Sequence, residues 1–295
     1  MKPRIYIQVP AYRDSELQPT LYDLIRQSAN SEQLRVAVAW QYDERREKLD
    51  TSFIERHRID LIKIPAAESQ GCNWARSLLQ RKWDGEEYTL FLDSHHRFVP
   101  GWDQQLIDMY EQLKARRSGK PLITAYLPAY DPFNEPGGRE RSPLHICFHE
   151  RQKGLLFRLN SRAVPKWQTL SEPVSAQFTS LHFLFAEGSF NEDLQFDPSI
   201  YFFADEVAIG LRAFTKGYDL YHPHRVLGWH LYHRAGTRVT HWDEHPEWKR
   251  QQEISQQRLF RLYRGYITGQ FGIGLERSVA QYEDHIGMKL VDVNN

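Results

Sequence analysis

Short runs of β-forming apolar residues alternate with segments of helical periodicity along the first 126 residues of the chain. The apolar runs predict five strands, at residues 4–9, 34–40, 59–64, 88–92 and 121–126. The intervening segments predict helices at residues 19–29, 43–58, 69–80 and 101–116. This alternation is typical of an α/β fold with a mostly parallel central sheet flanked by helices. Ligands of such sheets gather at the carboxyl ends of the strands.

The second half of the chain has a different pattern. Residues 127–143 hold four prolines and two glycines and predict a long loop. A hairpin is predicted at residues 144–149 and 154–160, and further strands at 178–185 and 219–222. Helical periodicity predicts a helix at residues 205–216, closed by Gly217, and an amphipathic C-terminal helix at 247–263.

The overall composition narrows the choice of partners. Lysine plus arginine equals aspartate plus glutamate, 38 of each, so we expect no nucleic-acid partner. The chain has no apolar run long enough for a membrane span and no recognisable signal peptide at its N-terminus. Cys72 and Cys147 are too few for a disulfide framework, and we therefore expect a cytoplasmic protein. No Gly-rich phosphate loop follows the first strand, which argues against the usual dinucleotide and P-loop folds.

The stretch YTLFLDSHHRF, residues 88–98, carries the clearest candidate chemistry. A buried strand ends at Asp93, and His95 follows two residues later. Residues i and i+2 of an extended segment point to the same side, so one carboxylate and one imidazole face one point. Oxygen and nitrogen ligands together suit Mn²⁺ or another first-row divalent ion. His230 and His233 are both candidates for a third ligand.

Asp205 and Glu206 stand at the start of a predicted helix. Acidic residues stabilise a helix N-terminus through its dipole, which accounts for both without catalysis. The functional interpretation places one of them over a sugar, as a hydrogen-bond acceptor or a base. The sequence leaves both interpretations open.

Five stretches taken together resemble the GT-A glycosyltransferases, and more narrowly the family that includes the polypeptide hydroxyproline α-GlcNAc transferase. The resemblance covers roughly residues 4–235, most of the chain, and is carried by these stretches in order: IYIQVPAYRDSELQPTLYDL, GCNWAR, FLDSHHRF, FDPSIYFFADEVAIGLRAFTKGYDLYHP and WHLYHR. The resemblance implies one catalytic domain, residues 1–295, of GT-A type. Residues 1–126 would bind the nucleotide sugar, a smaller β region within 127–240 would face the acceptor, and 241–295 would form a helical extension.

The resemblance also implies the roles of individual residues. Asp93, His95 and His230 would bind the metal, with Mn²⁺ favoured and Mg²⁺ as the alternative. Asp205 and Glu206 would be catalytic. A third group would bind the donor: Pro10, Ala11, Tyr12, Arg13, Gln41, Asp43, Arg76 and Ser94. The reaction implied is transfer of GlcNAc from UDP-GlcNAc to a hydroxyl of a protein or saccharide, with retention and an α-linked product.

Three alternatives remain. The donor is another UDP-hexose and the acceptor a saccharide or small molecule. The same three ligands serve a zinc hydrolase, although no compact HExxH-type set is present. In the third, the chain is a non-catalytic sugar-binding module that stacks sugars on its many aromatic residues.

Overall fold

The computed structural model of the protein describes residues 3–116, 119–152, 157–233 and 239–291. The strands in these ranges are β1 Ile5–Tyr12, β2 Leu34–Tyr42, β3 Asp60–Pro65, β4 Tyr88–Leu92, β5 His96–Phe98, β6 Lys120–Thr124, β7 Leu144–Arg151, β8 Phe157–Ala163, β9 Val174–Ser175, β10 Phe183–Glu187, β11 Tyr218–His222 and β12 Gly228–His230. The α-helices are α1 Leu17–Gln27, α2 Thr51–Arg56, α3 Cys72–Gln80, α4 Trp102–Arg116, α5 Phe190–Asp193, α6 Asp205–Thr215, α7 His241–Glu244, α8 Trp248–Tyr263 and α9 Val279–Ile286.

The central sheet has eight strands in the order β3-β2-β1-β4-β10-β6-β11-β9 across the described ranges. Neighbours β3, β2, β1 and β4 are parallel, as are β6 and β11. Only β10 and the edge strand β9 run antiparallel to their neighbours. The predicted α/β class with a mostly parallel sheet is therefore confirmed, and β4 lies in the middle of the sheet.

Alternating side chains of β1 explain why helices cover both faces of the sheet. Ile5, Ile7 and Val9 pack in one apolar cluster with residues of α1 and α4. Tyr6 points to the opposite face, where it packs with residues of α3. All five residues of β4 are buried, as expected for a strand covered on both sides. A second large cluster joins β10 to α6, α8 and α9.

The first strand is longer than predicted. The predicted strand ends at residue 9, but β1 continues through residues 10–12 and pairs with β2 as far as Tyr12. Strand β4 pairs with β1 only up to Gln8, so Pro10 lies where β1 has a single neighbour. A proline is tolerated in a strand where one side of the ladder is absent.

The predicted helix at residues 43–58 is wrong over most of its length. Only Thr51–Arg56 is helical, and Asp50 begins this helix by accepting a hydrogen bond from the Phe53 backbone N–H. In the preceding segment, the Glu47 carboxylate accepts from the Asp43 backbone N–H at 2.6 Å. The Arg46 and Glu47 backbone N–H groups both donate to the Asp43 carbonyl and close one turn, but residues 47–50 continue in neither a helix nor a strand, which the charge pattern alone did not reveal.

The hairpin in the second half is confirmed. Strands β7 and β8 pair antiparallel, and β8 runs to Ala163, three residues beyond the prediction. Residues 154–156, which the prediction placed in the second strand, lie outside the described residues. Residues 127–143 form no helix or strand, as predicted, apart from one bridge between Ala129 and His230. The strand predicted at 178–185 is displaced to Phe183–Glu187.

Candidate active site

Three possible metal ligands from distant parts of the chain meet at the carboxyl end of β4. Asp93 directly follows this strand, and His95 lies two residues further on. His230 is the last residue of β12, which pairs antiparallel with β5, so that His230 lies opposite His96. The Leu231 backbone N–H also donates to the carbonyl of His95 at 3.1 Å. This short ladder brings the second-half histidine to the D-x-H pair.

The three side chains point their polar atoms at one another. Asp93 Oδ2 lies 3.7 Å from His95 Nε2 and 3.5 Å from His230 Nε2. The three ligand atoms all lie within 4.8 Å of one another, and both histidines are buried. Metal–ligand bonds of about 2.1 Å separate neighbouring ligand atoms by roughly 3 Å or a little more. The arrangement therefore has nearly the dimensions of a cation site, open on the side where the Asp93 side chain is 27% exposed.

The protonation of these groups suits a cation. Burial holds the pKa of His230 well below its usual range, so its ring is neutral with a lone pair to offer. Burial alone would raise the pKa of Asp93, but the imidazoles of His230 and His95 and the guanidinium of Arg76 together hold it well below its usual range. Arg76 Nη2 approaches Asp93 Oδ1 at 3.4 Å, on the opposite oxygen from the histidines.

A divalent cation fits this group of side chains. Neither ring nitrogen of His230 has a hydrogen-bond partner within the described ranges, although both are buried. Its approach to Asp93 at 3.5 Å is long for a hydrogen bond. Buried polar atoms without partners are rare in proteins, and a bound ion is one way in which they are satisfied. One carboxylate oxygen and two imidazole nitrogens form a donor set for a first-row divalent ion. Of the two candidates for the third ligand, His230 joins this group, whereas His233 is exposed.

The ring of His182 packs against the ring of His230. The two rings stack in parallel, with centroids 4.1 Å apart and planes at 14°. The Leu127 backbone N–H donates to His182 Nε2 at 3.0 Å, which places the ring proton on Nδ1, 3.1 Å from Ser180 Oγ. Burial also holds the pKa of His182 well below its usual range, so it is a neutral neighbour. No motif pointed to this histidine, because FTSLHFLF has only the pattern of a strand.

A cleft beside the candidate metal group, Asp93, His95 and His230, contains half of the predicted donor-binding residues. Pro10, Tyr12, Gln41 and Ser94 line it together with Asp93 and His95. The Gln41 amide is fixed in this cleft, because its Nε2 donates to the Ala11 carbonyl at 3.3 Å and its Oε1 accepts from Ser69 Oγ at 2.5 Å.

The other predicted donor-binding residues lie elsewhere. Ala11 is buried within β1. Arg13 and Asp43 border a separate cavity on the far side of Tyr12. Arg76 lines the large cavity on the opposite side of Asp93.

The segment before α8 forms one wall of the cleft. His241 and Trp242 line it. Tyr12 donates its hydroxyl proton to Glu244 Oε2 at 2.6 Å, and Arg13 forms an ion pair with the same carboxylate. The sequence predicted a C-terminal extension but no contact of it with this cleft, because these contacts join residues more than 230 positions apart.

A cavity of about 750 Å³ lies on the other side of Asp93. Its lining includes His230, Asp205 and Glu206, and aromatic side chains of Tyr126, Phe157, Phe202, Phe203 and Tyr232. The metal group thus stands between two openings, with Asp93 lining both. Such a position suits a centre that joins two substrates.

The two acidic residues at the start of α6 have different partners. Asp205 Oδ2 accepts from Arg76 Nη1 at 3.0 Å and from Asn73 Nδ2 at 3.2 Å. Glu206 Oε2 accepts from the Tyr126 hydroxyl at 2.7 Å. Burial raises the pKa of Asp205 to about 6 and that of Glu206 to about 7. A carboxyl group with a pKa near neutrality in a cavity is a candidate proton acceptor.

Two kinds of comparison with known proteins agree with this architecture. The family described as Glycosyltransferase (GlcNAc) matches residues 4–52 and 44–292. The crystal structure of GalNAc-T7 with UDP, GalNAc and Mn²⁺ superposes with a TM-score of 0.61 at 13% identity, covering 98% of this chain and 55% of that one. The crystal structure of S. aureus TarS 1-349 in complex with UDP-GlcNAc gives a TM-score of 0.54 at 14% identity, covering 97% of this chain and 70% of that one. No curated protein matches the chain.

The sheet order, the helices on both faces and these structural likenesses define the GT-A fold of glycosyltransferases. Because the family match spans nearly the whole chain, the protein belongs to the Glycosyltransferase (GlcNAc) family. The chain spans about half the length of the GalNAc-T7 chain, 55%. Within the described ranges no helix combines the length and the apolar character needed to cross a bilayer.

Proposed function

We propose that the protein is a metal-dependent, retaining glycosyltransferase that moves GlcNAc from UDP-GlcNAc to an acceptor hydroxyl with an α-linkage. The proposal of metal dependence is supported by the convergence of Asp93, His95 and His230 between the proposed donor cleft and the larger cavity. The family description supports GlcNAc as the sugar. Retention and the α-linkage rest on the resemblance of the sequence motifs to polypeptide α-GlcNAc transferases.

Asp93, His95 and His230 would hold Mn²⁺, with Mg²⁺ as the alternative. Their two nitrogen donors favour the softer ion, since Mg²⁺ prefers oxygen ligands. A divalent cation in this place supplies Lewis acidity that offsets the negative charge on the departing UDP. Arg76 would keep Asp93 aligned through the oxygen that faces away from the histidines.

The donor would lie in the cleft between β1 and the C-terminal segment. Pro10, Tyr12, Gln41 and Ser94 are the proposed wall for the nucleotide. Ala11 contributes through its backbone carbonyl, which holds the Gln41 amide in place.

The two remaining proposed donor contacts lie behind Tyr12. Arg13 would contact the donor once its ion pair with Glu244 opens. Asp43, in the same cavity, would then border the nucleotide from behind Tyr12.

The sugar and the acceptor would meet in the larger cavity. Glu206, whose pKa is about 7, is the proposed group that orients the acceptor hydroxyl and takes its proton. Asp205 would act beside it, as the acceptor of hydrogen bonds that fix Arg76 and Asn73 next to the sugar. The acceptor class remains a protein or a saccharide, bound by residues of the 127–240 half.

The organisation of the chain and its compartment also remain proposals. Residues 1–126 would bind the donor, and residues from 241 onward would close the donor cleft as well as extend the fold. The sequence-based expectation of a cytoplasmic protein is kept, and Cys72 and Cys147 are both free thiols.

The test is UDP release from a panel of UDP-sugars, measured with Mn²⁺ and with EDTA. Many glycosyltransferases slowly hydrolyse their donors, so no acceptor has to be guessed. We expect Mn²⁺-dependent release from UDP-GlcNAc, lost in Asp93→Ala. If UDP is released only from a different UDP-hexose, that hexose and not GlcNAc is the transferred sugar. Tight binding of UDP-sugar that is indifferent to EDTA, with no release, would favour the non-catalytic sugar-binding module.

A further inference from the structure

A buried carboxylate that the sequence did not single out contacts the metal group from the β1 side. Asp14 follows β1 and is 6% exposed. Its Oδ2 lies 2.7 Å from His95 Nδ1 and accepts from Ser94 Oγ at 2.6 Å. Its Oδ1 accepts from the Glu16 backbone N–H at 2.9 Å, which fixes the plane of the carboxylate.

This contact determines which nitrogen of His95 faces the metal group. An ionised carboxylate has only acceptors, so the proton between the two residues belongs to His95 Nδ1. With that proton on Nδ1, the lone pair that the ring can offer to a cation is on Nε2, the atom that lies 3.7 Å from Asp93 Oδ2. A carboxylate that accepts from the distal nitrogen of a metal-binding histidine fixes both its tautomer and its ring orientation.

We propose that Asp14 is the positioning residue of the metal centre: it holds His95 as the Nδ1–H tautomer, with Nε2 directed at a divalent cation. The inference rests on the proposed function, because it assumes that His95 is a ligand. Asp14 adds a second carboxylate next to the three side chains, in addition to that of Asp93, which favours a cation there. Asp14 also belongs to the loop after β1 and lines the donor cleft, so the same residue links that cleft to the metal centre.

Mn²⁺ affinity of Asp14→Asn tests the proposal. Free Mn²⁺ is followed by electron paramagnetic resonance during titration of the purified protein with Mn²⁺ alone. We expect Asp14→Asn to bind Mn²⁺ about 10- to 100-fold more weakly than the unchanged protein, the range typical for loss of such an outer partner. Affinity within about twofold of the unchanged protein would overturn the role of Asp14.

Asp103→Asn is the matched control. Asp103 is also buried, and it accepts from the Ser28 hydroxyl at 2.6 Å and from the backbone N–H of Ala29 and Asn30 at 2.7 and 3.0 Å. It lies on α4 and has no contact with the metal group among those observed. Its substitution should lower the melting temperature without changing Mn²⁺ affinity. Equal loss of Mn²⁺ affinity in both variants would mean general damage to the fold and would overturn the proposal.

A second measurement needs no substitution of Asp14. The ring nitrogens of ¹⁵N-histidine-labelled, metal-free protein report each tautomer by NMR, and His95→Gln assigns the signal. We expect His95 to be protonated on Nδ1, whereas protonation on Nε2 would overturn the proposal. If the unchanged protein binds no Mn²⁺ but His95 has the Nδ1–H tautomer, the proposed metal-dependent function is wrong, although the contact of Asp14 with His95 is confirmed.

Discussion

Replacing Arg76 by methionine should destabilise the protein strongly. Its guanidinium lies 3.0 Å from Asp205 Oδ2 and 3.4 Å from Asp93 Oδ1, and the Arg76 and Asp205 side chains are only 5% and 9% exposed. Methionine keeps much of the apolar stem but removes the charge, leaving Asp205 with Asn73 as its remaining side-chain partner among those observed. Removal of one member of a buried ion pair costs about 3–5 kcal/mol of the free energy of unfolding.

The loss should grow with pH. Burial raises the pKa of Asp205 from 3.8 to about 6, although Arg76 opposes the rise. A carboxyl group whose pKa is higher in the folded protein than in the unfolded chain stabilises the fold most below the unfolded pKa of 3.8. This stabilisation is lost as the pH rises through the folded pKa. In the unchanged protein this decline ends near pH 6. Without Arg76 the pKa rises further, so the variant should keep losing stability above pH 6, by up to about 1.4 kcal/mol per pH unit.

Urea unfolding at pH 6, 7 and 8, followed by tryptophan fluorescence in EDTA, measures this difference. Arg4→Met is the control, because the pair of Arg4 with Glu87 is 34% and 50% exposed and such pairs contribute about 0–1 kcal/mol. A loss for Arg76→Met no larger than that of Arg4→Met, or one independent of pH, would refute the reasoning.

Two further substitutions test the metal group and the acceptor side. His230→Ala should abolish Mn²⁺-dependent UDP release, whereas His233→Ala, at the exposed histidine, should leave UDP release close to that of the unchanged protein. The reverse result would make His233 the third ligand in place of His230. Tyr126→Phe removes the hydrogen bond that lowers the pKa of Glu206, so this pKa should rise above about 7. The acid limb of the pH profile of kcat/KM for transfer should then move to higher pH, and an unmoved limb would argue against Glu206 as the proton acceptor.

The elements nearest the metal pair were predictable because their signals are local. Strand β4 is five buried apolar or β-forming residues followed directly by an acid, and α6 is marked by its periodicity. The parallel α/β class follows from the alternation of such elements. The D-x-H pair was predicted from the rule that residues i and i+2 of an extended segment share a side, and the two side chains do converge, although Ser94 lies in a bend.

The completion of the site depends on contacts that no local pattern encodes. His230 reaches Asp93 through two strands of three residues each, too short for a periodicity to be recognised. The contact of Asp14 with His95 joins residues 81 positions apart, and that of Tyr12 with Glu244 joins residues 232 apart. The position of Asp14 near the D-x-H pair could nevertheless have been predicted, because Asp14 follows β1, whose carboxyl end lies at the same edge of the parallel sheet as that of β4. The predicted helix at 43–58 is limited to Thr51–Arg56: residues 43–46 form only one turn, and the Asp50 side chain begins the helix later, which the charge pattern did not show.

Calorimetric titration of UDP-GlcNAc into the protein tests the central claim most directly, namely that Asp93, His95 and His230 hold a cation needed by the donor. We expect binding in the presence of Mn²⁺, little or none in EDTA, and little or none for Asp93→Asn even with Mn²⁺. Melting temperatures of both proteins in EDTA verify that the variant is folded. Equal affinity with Mn²⁺ and with EDTA, or undiminished binding by Asp93→Asn, would contradict the account.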